Sequence, residues 1–251
     1  GVLHNKYNAF FDYFTNNNLN FTFRSLNKIN INQENIFLNS DNVTLILDLN
    51  ESIDEQWEEL KSKVKNQIRK PYNKNIKVSF DDKYLKNFYR LWAKHINRLG
   101  TPVHSYDFFK NIFTYFPADE RRLITAWNNS QLTGGLILMF DSNNAYVPWA
   151  SVDNRFKSWN VNNLIYWEAI KQSIDNKKIK FDFLRSQLNT GTYKYKKQWG
   201  ANVYSLYYYT NNKQQIKQYN SLKYKLMSKI WSNAPSVITL KAGPYIRKNI
   251  P

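Results

Sequence analysis

The stretch KIKFDFLRSQLNTGTYKYKKQWG, residues 178–200, holds the side chains of this chain best placed to do chemistry. It opens with Ile179, Phe181 and Phe183 alternating against Lys180 and Asp182, the period of a strand with one buried face. A strand over 179–184 would leave Arg185 and Ser186 at its carboxyl end. The chain then turns through Asn189 to Gly191 and re-enters as Tyr193–Lys194–Tyr195–Lys196–Lys197. Open α/β sheets take ligands at the carboxyl ends of their strands. An arginine followed by lysines set between aromatics suits a phosphate or a developing oxyanion. The same residues also fit a basic surface loop with its tyrosines turned inward. Asp182 has the chemistry of a general base, but beside Lys180 and Arg185 it is expected to have a lowered pKa and a structural pairing.

Two further stretches bear on that choice: RLGTPVHSYDFF at 98–109 and AYVPWASVDNRFKSWNVNNLIYWE at 145–168. In the second, Pro148 falls inside an apparent strand and cannot donate to a ladder, so one hydrogen bond to a neighbour is lost there or the proline faces a non-bonded side. Trp149 and Ser151 share one face of that strand near its carboxyl end. A loop and a helix start follow, where free backbone N–H groups favour an anion, and Asn160 or Asn162 can cap the helix. His104 is the histidine with an acid–base case, set against the plainer reading of a loop histidine satisfied by its neighbours.

The order of these stretches, with FDFLRS, GTYKYKKQWG and the late GPYIRKNIP, resembles the FemAB-like family of acyl and aminoacyl transferases within the GNAT superfamily. The nearest resemblance is to FemAB-related proteins of the type associated with exopolysaccharide export and PEP-CTERM systems, and it runs from about residue 43 to the end. The family pattern reads DFGRS, GTY-x-FK and WGA. Asp182, Arg185, Ser186, Gly191, Thr192, Tyr193, Lys196, Trp199 and Gly200 match it, whereas Leu184 replaces a glycine and Tyr195 a phenylalanine. Asn163, Tyr166 and Trp167 match a further N-xx-Y-W arrangement. The resemblance implies Lys196 at the substrate's phosphate or the developing oxyanion. Arg185, His104 and Asp182 are the other catalytic candidates. Trp149, Ser151, Asn163, Tyr166, Ser186, Tyr193, Arg98 and Thr101 are the substrate-binding ones. It also implies that the strands of Pro148 and Asp182 diverge to open a slot for an acyl donor. CoA-using relatives carry glycine in the loop corresponding to 153–160, and this loop has none. Acetyl-CoA is therefore expected to bind weakly, and aminoacyl-tRNA or another large donor stays in play.

The elements that must position these residues read as follows. Helices are expected over 3–18, 54–70, 83–98, 106–116, 162–175 and near 214–231. Strands are expected over 21–31, 43–49, 76–80, 121–127, 133–140, 145–152, 179–184 and 203–209. This pattern is α+β, and with the resemblance it implies a GNAT-like fold with a mixed, largely antiparallel central sheet flanked by helices. Residues 1–40 are expected to be the end of a preceding half-domain, 41–233 the transferase-like domain, and 234–251 a tail packed back on the body.

Composition bounds the rest. The chain has 251 residues, enough for a full core, and no cysteine, which excludes a thiol nucleophile, thiolate metal sites and disulfides. Its three histidines lack metal-ligand spacing, so no metal site is expected. The net charge of +17 is spread over helices and loops and suits a polyanionic partner. Aminoacyl-tRNA, a nucleotide-sugar or a lipid-linked precursor would each fit, as would peripheral contact with a membrane. No window is apolar enough to span one. The combined expectation is a cytoplasmic enzyme, free or at the inner membrane face, that forms an amide on an amino group of a cell-envelope or polysaccharide precursor. Its acyl donor, an aminoacyl-tRNA or acyl-thioester, would be a co-substrate rather than a resident cofactor. The alternative is a non-catalytic basic module that binds RNA or another polyanion.

Overall fold

The computed structural model describes residues 2–31, 33–212 and 222–248. One eight-stranded sheet runs through it, in the order β1-β8-β2-β7-β6-β5-β4-β3. The strands are β1 (Thr22–Ser25), β2 (Phe37–Asp48), β3 (Ile76–Ser79), β4 (Arg121–Asn128), β5 (Gln131–Phe140), β6 (Asn144–Val152), β7 (Lys180–Gln187) and β8 (Asn202–Thr210). Every neighbouring pair is antiparallel except β6 and β7. This is the mixed, largely antiparallel α+β sheet that the sequence implies.

Two helical layers cover the sheet. On one face, α3 (Ser62–Tyr72) and α6 (Val161–Asp175) close a core that includes Val43, Leu45, Phe181, Phe183, Ala145, Val147 and Leu136. Helix α6 lies between α3 and the sheet, so apolar residues surround it: Val161, Leu164, Ile165, Ala169 and Ile170 are all fully buried. On the other face, α4 (Leu85–Arg98) presents Leu85, Phe88, Tyr89, Trp92 and Ala93 at i, i+3, i+4, i+7 and i+8. These meet Phe109 of α5 (Tyr106–Tyr115) and Leu123 and Ile137 of the sheet. A third cluster, Phe11, Phe21 and Tyr209, holds α1 (Val2–Asn16) against β1 and β8, which lie in this same sheet.

Several elements depart from the sequence reading. The single helix expected over 54–70 is two, α2 (Ile53–Glu59) and α3, because Leu60 takes an extended conformation (ψ 135°) and is buried. The strand expected over 21–31 shortens to β1. Residues 191–197, assigned neither helix nor strand from the sequence, form the helix α7 (Gly191–Lys197). Thr190 caps it by accepting from the Tyr193 N–H. Of the late helix expected near 214–231, residues 213–221 lie outside the described residues, and α8 spans Leu222–Asn233. The tail contains a further helix, α9 (Ser236–Arg247). It packs back through Thr239, which accepts a 2.6 Å hydrogen bond from Asn97 Nδ2, and through Gly243 against Val103.

Candidate functional site

The parallel pair β6/β7 is registered at Asn144/Lys180, Ala145/Phe181 and Tyr146/Asp182, and there it stops. Beyond Tyr146 the strands part. The cause on β6 is local: Ile137 lies opposite Trp149 and Met139 opposite Tyr146, so Val147 and Pro148 together face Leu138. A bulge at the residue that cannot donate turns β6 away from its neighbour. β7 carries a bulge of its own, since Ile46 faces Asp182 and Thr44 faces Arg185, leaving Phe183 and Leu184 against Leu45. Leu184 sits there at φ +60°, a left-handed conformation that suits glycine. The two strands therefore splay between two bulges, and β7 runs on through Ser186 to Gln187 rather than ending at 184.

Lys196 works at this bulge from below. It is only 6% exposed, and its ammonium donates to the carbonyls of Leu184 (2.8 Å) and Arg185 (3.0 Å). Burial pulls its pKa down to about 8; Asp182 opposes the shift and the Arg185 guanidinium adds to it. The resemblance implies this lysine at the substrate's phosphate or oxyanion; in the structure its ammonium is buried as a strut against two backbone carbonyls. The Arg185 side chain is exposed. Asp182 accepts from Thr44 Oγ1 (2.5 Å) and from the Leu184 N–H (2.7 Å), both at Oδ1. Its pKa is raised, not lowered as the neighbouring cations led one to expect. Desolvation outweighs the two hydrogen bonds and Lys196, and Lys180 and Arg185 form no ion pair with it.

On the α3/α6 side, a cavity of about 580 Å³ opens at the start of α6. Lys61, Lys63, Lys157 and Lys194 line it with Gln67, Asn160, Asn162, Asn163, Tyr195 and Gln198, and no carboxylate is among its lining residues. Asn160 precedes the helix at φ +61° and its side chain makes no capping hydrogen bond, so the capping expected of it does not occur. The first N–H groups of a 15-residue helix thus begin at a basic cavity, an arrangement that favours an anion. Asn163 donates to Gln67 Oε1 at 3.1 Å. The buried Tyr195 hydroxyl lies close to Trp199 and Asn162, and its pKa is pushed well up by burial.

The sequence-derived candidates fall into two groups on opposite faces of the sheet. Asn163 lines the cavity, while Tyr166 stacks on Phe183 (5.6 Å, 19°) within the core. Tyr193 packs at the edge of that core, and Ser186 is buried with its hydroxyl unpartnered among the described residues. Across the sheet, Trp149 meets Phe109 (5.1 Å) and Phe108 (5.8 Å). His104 lies between Trp92 and Phe108, and its Nε2 accepts from Arg247 Nε at 3.4 Å. Burial and that guanidinium hold the His104 pKa below its ordinary value. Ser151 is buried with Oγ 3.0 Å from His95 Nδ1, a pair the sequence did not suggest. Arg98 reaches Asn154 Oδ1 (2.9 Å), and the Thr101 N–H closes the loop after α4 on the Ile96 carbonyl. Asp182 lies on the α4/α5 face, at the last registered pair before the splay.

Of the cavity lysines, Lys157 and Lys194 were the residues missed. Lys194 has no match in the family pattern and reads from the sequence as solvated. On a helix, Gly191, Lys194, Tyr195 and Gln198 fall at i, i+3, i+4 and i+7, one face, and all four line the cavity. The N-cap pattern at Thr190 was the available signal.

A mixed sheet that splays at its parallel pair, with the crossover helix α6 starting at a basic cavity, makes this an α+β domain of the GNAT type. The chain belongs to the GNAT family: residues 62–197, more than half of it, match the family described as acetyltransferase (GNAT) domain. Among solved structures it is similar to FemX, at 15% identity and a TM-score of 0.59, covering 70% of this chain and 63% of that one. It is also similar to the C-terminal domain of a putative lysylphosphatidylglycerol synthetase from Agrobacterium fabrum (8%, TM-score 0.55, 78% and 66%). L-PGS from Bacillus licheniformis is a third (7%, TM-score 0.53, 78% and 68%). At these identities the likeness is one of fold. The chain spans a little under two thirds of the length of FemX. No curated protein matches by sequence.

Proposed function

We propose that this chain is a FemAB-like acyl or aminoacyl transferase that forms an amide on an amino group of a cell-envelope precursor. The observation that carries this reading is the splay of β6 from β7 beside a lysine-lined cavity at the start of α6. The cavity suits the phosphate-bearing part of a donor, and the splay suits the passage of its acyl end toward Asp182 on the opposite face. The names FemX and lysylphosphatidylglycerol synthetase, carried by proteins of the same fold, support an envelope precursor as acceptor. The exopolysaccharide type of acceptor rests on the sequence resemblance.

In this reading the donor is a co-substrate, and aminoacyl-tRNA suits the cavity better than CoA because residues 153–160 lack glycine. The acceptor amine attacks the donor's ester or thioester carbonyl and loses a proton. The tetrahedral intermediate collapses to an amide and releases the donor's hydroxyl or thiol. Asp182, with a raised pKa and no hydrogen bond at Oδ2 among the described residues, is the group placed to take the proton. The rate would come chiefly from positioning. Lys196 would stabilise the oxyanion only by turning its remaining N–H toward the opening.

The test is native mass spectrometry and calorimetry with aminoacyl-tRNAs, acyl-CoAs and nucleotide-linked peptide acceptors, followed by a product assay. The expected result is binding of an aminoacyl-tRNA and a new amide on the acceptor, with acetyl-CoA no tighter than about 1 mM. Low-micromolar acetyl-CoA binding would make the protein an ordinary acetyltransferase instead. Binding of RNA without aminoacyl transfer would favour a basic binding module, a reading supported by the commitment of the Lys196 ammonium to two carbonyls.

A further inference from the structure

Soluble helices normally turn apolar residues inward, yet α8 and α9 each do the reverse along one side. Leu226, Met227 and Ile230 of α8, and Val237, Ile238 and Tyr245 of α9, are each 55 to 71% exposed. They follow helical spacing: 226, 227 and 230 on one helix, and 237, 238, 241 and 245 on the other, where Lys241 is also exposed. The opposite sides hold the two helices to α4. On α8, Ser228 lies so close to Gly100 that a Cβ added there would fall 2.4 Å from the Ser228 carbonyl oxygen. On α9, Thr239 and Gly243 make the buried contacts to Asn97 and Val103. The apolar sides therefore face outward because the inner sides are already occupied.

Charge selects the partner for this face. Lys229, Lys241 and Lys248 stand exposed on the same two helices, and Lys248 Nζ lies 5.8 Å from the Tyr245 ring. Twelve of the 36 basic residues and none of the 19 acidic residues occur after Asp182. Bulky apolar side chains, a tyrosine and interspersed lysines with no carboxylate among them are what a helix needs to lie in the headgroup region of an anionic bilayer. Among the described residues no helix is long and apolar enough to cross a membrane, so the contact would be interfacial.

We propose that α8 and α9 form a docking surface for an anionic phospholipid bilayer, with Leu226, Ile230, Val237, Ile238 and Tyr245 entering the interface and the lysines meeting its headgroups. This goes beyond the transfer reaction and stands whether or not that reading holds.

The experiment uses the full chain with vesicles of phosphatidylcholine, with and without phosphatidylglycerol, and reads partition by co-sedimentation. Binding is expected to phosphatidylglycerol vesicles and to be at least ten-fold weaker to phosphatidylcholine alone. The variant Ile230→Gln/Ile238→Gln/Tyr245→Gln keeps the net charge and touches only outward positions. Its partition should fall by about ten-fold or more while circular dichroism and Tm stay unchanged. Lys229→Gln/Lys241→Gln/Lys248→Gln should also lose about ten-fold, on phosphatidylglycerol vesicles only. Absence of wild-type binding would overturn the proposal. So would undiminished binding by the first variant, which would mean adhesion by net charge alone. A wild-type dimer that the first variant converts to monomer, without vesicle binding, would also overturn it by making this face an interface between copies.

Discussion

At the scale of single residues, the decisive side chains are those whose charge the fold has made costly. Lys196 holds the two carbonyls at the β7 bulge, so Lys196→Met should lower stability by about 1–3 kcal/mol through unsatisfied acceptors. Its pKa falls from 10.5 unfolded to about 8 folded. Between those values the unfolded chain binds the extra proton, so the lysine's contribution grows as pH rises through that window and is complete above it. Chemical denaturation of wild type and Lys196→Met at several pH values should show the gap widening from pH 8 to 10.5; a constant gap would contradict the buried strut. Lys194→Ala, by contrast, should spare stability and weaken donor binding, because that side chain lines the cavity. For His104 the folded pKa again lies below the unfolded one, so its stabilising contribution is present above about pH 6.5 and lost as pH falls toward the folded value. An NMR titration should place it below 6.5 and move it upward in Arg247→Gln. An unchanged value in that variant would remove Arg247 as a cause.

Elements decide how far the opening between β6 and β7 extends. The bulge on β7 holds Leu184 at φ +60°, where a side chain other than glycine's costs about 1–2 kcal/mol. Leu184→Gly loses some packing of a half-buried residue but relieves this strain, and a gain in stability of up to about 1 kcal/mol is expected. Equilibrium denaturation decides it, and a loss would mean that the leucine's packing outweighs the backbone term. The short 3-10 turn Asn154–Trp159 ahead of α6 brings Lys157 to the cavity, and helix α7 brings Lys194. Lys157→Glu/Lys194→Glu should therefore reduce affinity for a phosphate-bearing donor by ten-fold or more, with circular dichroism unchanged.

The whole molecule adds a long-range field. With a net charge of +17, its association with a nucleic-acid donor should weaken steeply with salt, by about one power of ten per ten-fold rise in salt for each phosphate neutralised. Titrations at several salt concentrations should give a slope that decreases in the Lys157→Glu/Lys194→Glu variant. An unaltered slope would place the donor elsewhere on the surface. Three clusters stabilise this body: one on each face of the sheet, and one tying α1 to β1 and β8.

Much of this architecture is legible in the chain because it rests on local period. The alternation through Phe181 and Phe183, the i, i+3, i+4, i+7 series of α4 and the turn residues between β4, β5 and β6 each specify an element without reference to its neighbours. Pro148 belongs with them, since a missing donor is a property of the residue, and the β6/β7 ladder ends just before it. What the chain alone did not specify depends on contacts distant in sequence. Residues 54–70 split because Leu60 is buried in the core formed with α6 and the sheet. Asp182 carries a raised pKa because the strands around it exclude water, an effect its charged sequence neighbours concealed. Lys194 and Lys196 are two residues apart in one short basic run. Only the helical turn of α7 against β7 sends one to the cavity and the other into the protein, because positions i and i+2 on a helix point to different sides.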